Sequence, residues 1–187
     1  MALGYSNTER VYDELLLRRV QAGDRRAGER LAARWYPRLM RTAYRLLRDE
    51  EQARVVVQDS WTGICAGWRK LRDPSRFPAW AYTILHRKCA DQIRTSQRLR
   101  GLTSSGAEMT EASIGPRGED KVSIDQAFDQ LSEAQRSAAT LYFGAGLTVK
   151  EIAQATGIPV GTAKSRLFHA RRHLMAALGD GPNDEGE

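Results

Sequence analysis

The sequence predicts an all-α chain: two small helical domains joined by a flexible linker, the second carrying a helix-turn-helix. Three observations predict it. Apolar residues recur at helical spacing along most of the 187 residues, with no convincing alternating strand run. Capping-box pairs at Ser6/Glu9, Ser132/Gln135 and Thr148/Glu151 mark helix starts. Composition shifts abruptly at Gly101, where GLTSSGAEMTEASIGPRGED is rich in Gly, Ser and Thr and poor in large apolar residues. The expected division is 1–100, a linker over 101–121, 122–178, and a disordered acidic tail over 179–187, with the domains hung on that linker as on a string.

Each element has a local cause. Ser6 and Glu9 open a helix from about Thr8 to Ala22, with Val11, Leu15 and Leu16 inward and Gly23 ending it. A second helical region starts at Asp24 and places Ala27, Leu31, Trp35, Leu39, Ala43 and Leu46 on one face; Pro37 should bend or break it. Asp49 is the N-cap of a helix reaching Lys70, with acids in its first turn and Val56, Ile64 and Trp68 inward. Two prolines bracket a loop from Leu71 to Pro78, and a fourth helix follows from about Ala79 to Gln97. Val122 to Leu131 forms a helix, the Ser132 box opens the next, and Gly144 and Gly146 end it.

The stretch from Leu147 to Leu178 says most about function. Thr148 and Glu151 start a short helix with Ile152, Ala153 and Thr156 inward; Gly157-Ile158-Pro159 forces a turn; a second helix re-enters near Val160 to Thr162. In that helix Ala163, Leu167, Ala170, Leu174 and Leu178 form the apolar back. Lys164, Ser165, Arg166, His169, Arg171 and Arg172 fill the other faces with no acid among them. One helix braced over phosphates and a second with a donor-rich front is the arrangement that fits a major groove.

Formal net charge is +6, from 29 Lys+Arg against 23 Asp+Glu, and the excess is concentrated in residues 1–100 and in the last helix, which suits a polyanionic partner. Cys65 and Cys89 lie far apart in helical patterns and read as small buried residues, not as a disulfide or metal site. The N-terminus lacks the apolar core of a signal peptide and no stretch approaches a membrane span, so a cytoplasmic protein is expected. No HExxH, P-loop or metal-binding carboxylate cluster points to an enzyme, and no cofactor is expected.

The residues resemble a known family. Trp80-Ala81-Tyr82-Thr83-Ile84 with Asp91 and Arg94 resembles the WLxxIAxNxxxDxxR pattern of the promoter-melting domain of extracytoplasmic-function sigma factors of the sigma-70 family. Leu131 to Arg136, Glu151-Ile152-Ala153 and Pro159 to Leu167 resemble the LPxxQR, EIA and PVGTVKSRL elements of that family's second DNA-binding domain. The resemblance implies a dissociable promoter-recognition subunit of RNA polymerase. Gln58 and Asp59 would grip the polymerase clamp helices, and the partners would be core polymerase (clamp and flap), promoter DNA and an anti-sigma protein. The loop carrying Arg72, Asp73, Ser75, Arg76 and Phe77 would capture a flipped base of the −10 element, with Trp80 fixing the loop. Arg87, Lys88, Arg94 and Arg98 would contact phosphates at the melting junction. Gly161 and Thr162 would set a helix N-terminus against a phosphate, and Lys164, Ser165, Arg166, His169 and Arg171 would face the −35 element. Arg87 stands where the pattern has Asn, His169 where many members have Arg, and Arg54-Val55 where acids are common. A second reading, a free-standing helix-turn-helix regulator with an N-terminal sensing or dimerisation domain, shares the last two helices but requires neither the Trp80 motif nor the basic first domain.

Overall fold

Capping chemistry sets the helix starts. In the computed structural model, which describes residues 6–103 and 123–178, α1 (Asn7–Gln21) opens on Ser6: its hydroxyl accepts the Glu9 N–H, and the Glu9 carboxylate accepts the Ser6 N–H at 2.9 Å. Asp24 caps α2 (Arg25–Leu47) and Asp49 caps α3 (Glu50–Gly67). Between them Arg48 adopts a left-handed φ of 57°, so α2 turns into α3 within two residues.

The inward stripe of α1 differs from expectation. Val11 and Leu15 are 59% and 52% exposed, and the buried positions are Asp13, Leu16, Leu17 and Val20, an i, i+3, i+4, i+7 stripe. Its polar member binds α1 to α2. Asp13 accepts hydrogen bonds from Arg34 Nε at 2.7 Å and from the buried Trp35 Nε1 at 2.8 Å. α2 runs unbroken through Pro37, because the stripe on either side of it, Trp35 and Leu39, is fully buried and packing outweighs the lost hydrogen bond.

The last turn of α3 tightens into a 3₁₀ turn at Trp68–Lys70, and a second 3₁₀ turn, Pro74–Arg76, leads into α4 (Phe77–Thr103). α4 thus begins two residues earlier than expected, since Pro78 falls in the first turn where its missing N–H costs nothing. It also continues through Gly101 to Thr103, into the expected linker. The rest of that linker and the acidic tail lie outside the described residues.

In the second half a capping box at Ser123 and Gln126 starts α5 (Ile124–Asp129), shorter than the Val122–Leu131 helix expected. α6 (Glu133–Ala139) opens on the Ser132 box and passes into a π-helical turn, Thr140–Gly144. α7 (Val149–Thr156) opens on Thr148 and stops at Gly157, whose φ of 70° ends the helix, and α8 is Val160–Ala177. Leu178 is 43% exposed just beyond it, not part of the buried back. No strand occurs among the described residues.

The two halves meet along a shared interior. A single apolar core joins Trp35, Phe77 and Leu85 of the first to Leu141, Leu147 and Ile152 of the second, and α7 lies against α4. A smaller cluster, centred on Phe128, Leu131, Ala170 and Leu174, ties α5 and α6 to α8.

Candidate nucleic-acid interface

The loop expected to capture a base is shaped by its own side chains. Asp73 caps the Pro74–Arg76 turn, its Oδ1 accepting from the Ser75 hydroxyl at 2.6 Å and from the Ser75 N–H at 3.0 Å. The Ser75 hydroxyl, with the Ser75 N–H and the Arg76 and Arg18 charges, holds the Asp73 carboxyl below its ordinary range. Arg72, Asp73, Ser75 and Arg76 are all exposed. Phe77 is not available to a base: it is fully buried, edge-on to Trp35 at 4.9 Å, and this corrects the expectation that its ring lines the pocket. Trp80 is half-buried, 6.1 Å from the Phe77 ring, and a Cβ at Gly67 would come within 2.7 Å of its indole. The start of α4 is therefore wedged against the end of α3, with the loop carried on that wedge.

Beyond the loop, Arg87, Lys88, Arg94 and Arg98 are exposed on α4. Arg94 pairs with Asp91 one turn away, and Lys88 Nζ lies 3.8 Å from Asp59 of α3, so the expected DNA and polymerase faces adjoin. Gln58 and Asp59 are exposed, and Val55, 58% exposed at i−3 and i−4 from them, extends that face. The departure at Arg54 is locally accounted for: it bonds Glu50 at 2.9 Å along the helix surface.

On α8 the packing side is Ala163, Ala170 and Leu174, with Leu167 against the main core. Gly161, Lys164, Ser165, His169 and Arg171 are exposed; Thr162 and Arg166 are half-buried. Pro159 supplies no side-chain cap, so the first N–H groups of α8 have no side-chain acceptor, and a Cβ at Gly161 would meet open space. Sequence reasoning missed Phe168, which is 63% exposed and edge-on to His169 at 5.5 Å. Its signal was a large apolar residue one position off the buried stripe.

Cys89 is buried, its thiol pushed up to about 12 by loss of water, and it forms no disulfide with Cys65. Among the described residues no group of three or more His, Cys, Asp or Glu stands where it could hold a metal. Among them also, no helix is long and apolar enough to cross a membrane.

Comparison with known proteins agrees with this arrangement. The sigma-70 region 2 family matches residues 31–99 and sigma-70 region 4 matches residues 121–174. The chain is 28% identical over 180 residues to the RNA polymerase sigma-H factor of Pseudomonas aeruginosa, covering 89% of this chain and 93% of that one. It is 27% identical over 180 residues to the ECF sigma factor SigM of Mycobacterium tuberculosis, covering 95% and 90%. Among solved structures, the sigma factor RpoE bound to the anti-sigma factor NepR from Bartonella quintana superposes with a TM-score of 0.66 at 27% identity, over 81% of this chain and 96% of that one. CnrH with the cytosolic domain of CnrY shares the fold, with a TM-score of 0.62 at 24% identity over 90% and 98%. A free-standing regulator would need neither region 2 nor the basic α4, and that reading is set aside. With both promoter-binding regions matched in order, the chain belongs to the sigma-70 family of RNA polymerase sigma factors, in its extracytoplasmic-function group.

Proposed function

We propose that this sigma factor divides its task by element. The Arg72–Arg76 loop takes the flipped −10 base, offering Arg72, Asp73, Ser75 and Arg76 as hydrogen-bonding and stacking groups, with Phe77 and Trp80 as its footing. Arg87, Lys88, Arg94 and Arg98 hold phosphates beside it. Gln58 and Asp59, with Val55, dock on the clamp of core polymerase, and the second half docks on the flap. α8 reads the −35 element: Gly161 and Thr162 bring its uncapped N-terminus to a phosphate, and Lys164, Ser165, Arg166, Phe168, His169 and Arg171 face the groove. A phenyl ring there suits contact with a thymine methyl. The protein acts in the cytoplasm as a DNA-binding initiation factor with no catalysis of its own. Its likeness to a sigma factor solved with the anti-sigma factor NepR supports an anti-sigma protein as a further partner.

The observation that carries this reading is α8 itself, whose outward side bears Lys164, Ser165, His169, Arg171 and Arg172 and no acid, behind a capped α7 and a left-handed Gly157. Run-off transcription with core polymerase tests it. Lys164→Ala should lower transcription from a promoter with a −35 element far more than from a pre-melted template, because a good base contact discriminates by about 1–3 kcal/mol. Arg172→Ala, farther from the groove end of α8, should do less. Equal losses on both templates would mean that α8 serves folding or docking, and the −35 assignment would fall.

A further inference from the structure

The seam between the halves occupies groups that promoter reading needs. Arg76 of the loop donates from Nη2 to Gln154 Oε1 of α7 at 3.3 Å. Arg166 of α8 lines a half-open cavity of about 280 Å³ against α4, together with His86 and Cys89. Around these, basic side chains of the first half meet acceptors of the second. Arg10 donates to the Gly146 carbonyl at 2.7 Å and lies 3.6 Å from Glu151, Arg45 bonds Asp125 at 3.2 Å, and Arg48 pairs with Asp129 at 2.9 Å.

His86 is the titratable group at the centre of this seam. Its Nε2 lies 2.9 Å from Ser137 Oγ of α6, and it is half-buried. The charged groups lining its cavity are Arg166 from α8 and Arg136 and Glu133 from α6; α7 contributes Thr156, α2 contributes Leu46, and α4 itself contributes the thiol of Cys89. Two guanidinium groups against one exposed carboxylate make this a poor place for an imidazolium. Arg136 Nε is already buried there with no hydrogen-bond partner.

We propose that the seam is a proton-gated, self-inhibiting latch: with His86 neutral the halves close and hold Arg76 and Arg166 against protein, and proton uptake by His86 parts them. The masking half of this rests on the promoter-reading roles given to those arginines; the gating half does not. Burial, then the Arg166 charge, keeps the closed-state His86 below its ordinary 6.5. The sign follows. Closure is at full strength above about 6.5, where the ring is neutral in both states, and it weakens as pH falls below that value, because the open chain binds the proton more readily. One proton limits the change to about tenfold in the open-to-closed ratio per pH unit.

Small-angle scattering on the full chain at constant ionic strength tests the gate without DNA or polymerase. The radius of gyration should rise between pH 7.5 and pH 5.5 while far-ultraviolet circular dichroism stays constant. His86→Gln should remove that pH response, and Ser137→Ala, which deletes the partner without touching α4, should move the opening to higher pH. A wild-type radius that does not change with pH, or a His86→Gln chain that opens over the same range, overturns the proposal. If His86→Gln loses helicity, the wild-type and Ser137→Ala titrations decide. Failure of the −35 test above would leave this outcome untouched, so the two readings fall separately.

Discussion

Replacing Phe77 separates a structural footing from a base-contacting ring, and the two roles predict opposite results. The ring is fully buried, with Trp35 edge-on at 4.9 Å and Trp80 at 6.1 Å, and it stands at the first residue of α4, directly after the loop. Truncation to Ala removes nearly all of that packing, which costs about 3–5 kcal/mol at sites of this kind. Total stability of a domain is only roughly 5–15 kcal/mol, so the loss is a large share of it. At about 2–4 °C per kcal/mol for a cooperative unit of about 150–250 residues, which the shared core makes of this chain, the melting midpoint of Phe77→Ala should fall by at least about 6 °C. Phe77→Leu keeps most of the volume and should cost under about 1.5 kcal/mol. The assay pairs thermal unfolding with permanganate reactivity of the −10 element in the presence of core polymerase, run below both midpoints. Phe77→Leu should form open complex close to wild type, since nothing of the ring reaches a base. An unchanged midpoint for Phe77→Ala together with lost open complex would refute this, and would place the ring on DNA.

Two further outcomes follow from local geometry. Gly67→Ala puts a methyl within 2.7 Å of the Trp80 indole and should destabilise the first half by about 1–3 kcal/mol, measured by urea unfolding; a neutral result would show that α3 and α4 are not wedged there. The Ser6 backbone N–H, helped by the Ser6 hydroxyl and Arg38, holds the Glu9 carboxyl below its ordinary 4.5, so the capping box stabilises above 4.5 and that contribution is lost as pH falls through the lowered value. Acid titration of stability should therefore show a slope below 4.5 that Glu9→Gln reduces, the Asp24 and Asp73 carboxyls, also held below their ordinary range, supplying part of what remains, and an identical slope in both chains would exclude Glu9 as a source.

What was legible in the sequence was what is decided locally. The boxes at Ser6, Ser132 and Thr148, the Asp49 cap and the Gly157 stop each depend on residues within a turn of one another, and each stands as expected. The α2 stripe was legible for the same reason. Asp13 was not, because a carboxylate at a core position is justified by Arg34, Trp35 and Arg38, more than twenty residues away on another helix. Counting apolar residues therefore rotated α1 the wrong way, onto Val11 and Leu15. Phe77 was read as a pocket residue for a similar cause, as burial by Trp35 is invisible to spacing. The contact of α7 with α4 is non-local altogether, and His86 occupies a position the family pattern leaves open, so no motif points to the seam.

The shared core bears on how such proteins can be rebuilt. Leu141, Leu147 and Ile152 complete an interior whose larger part belongs to the first half. A chimera joining the front of one relative to the back of another must therefore match the shapes of these side chains to Phe77 and Leu85, whatever connects the two. Lys164, Ser165, Phe168 and His169 carry no such constraint, since all four are exposed while Ala163 and Leu167 do the packing. On the proposed reading of α8, changing promoter preference is a matter of resurfacing one side of one helix, and recombination of whole halves is the costlier route.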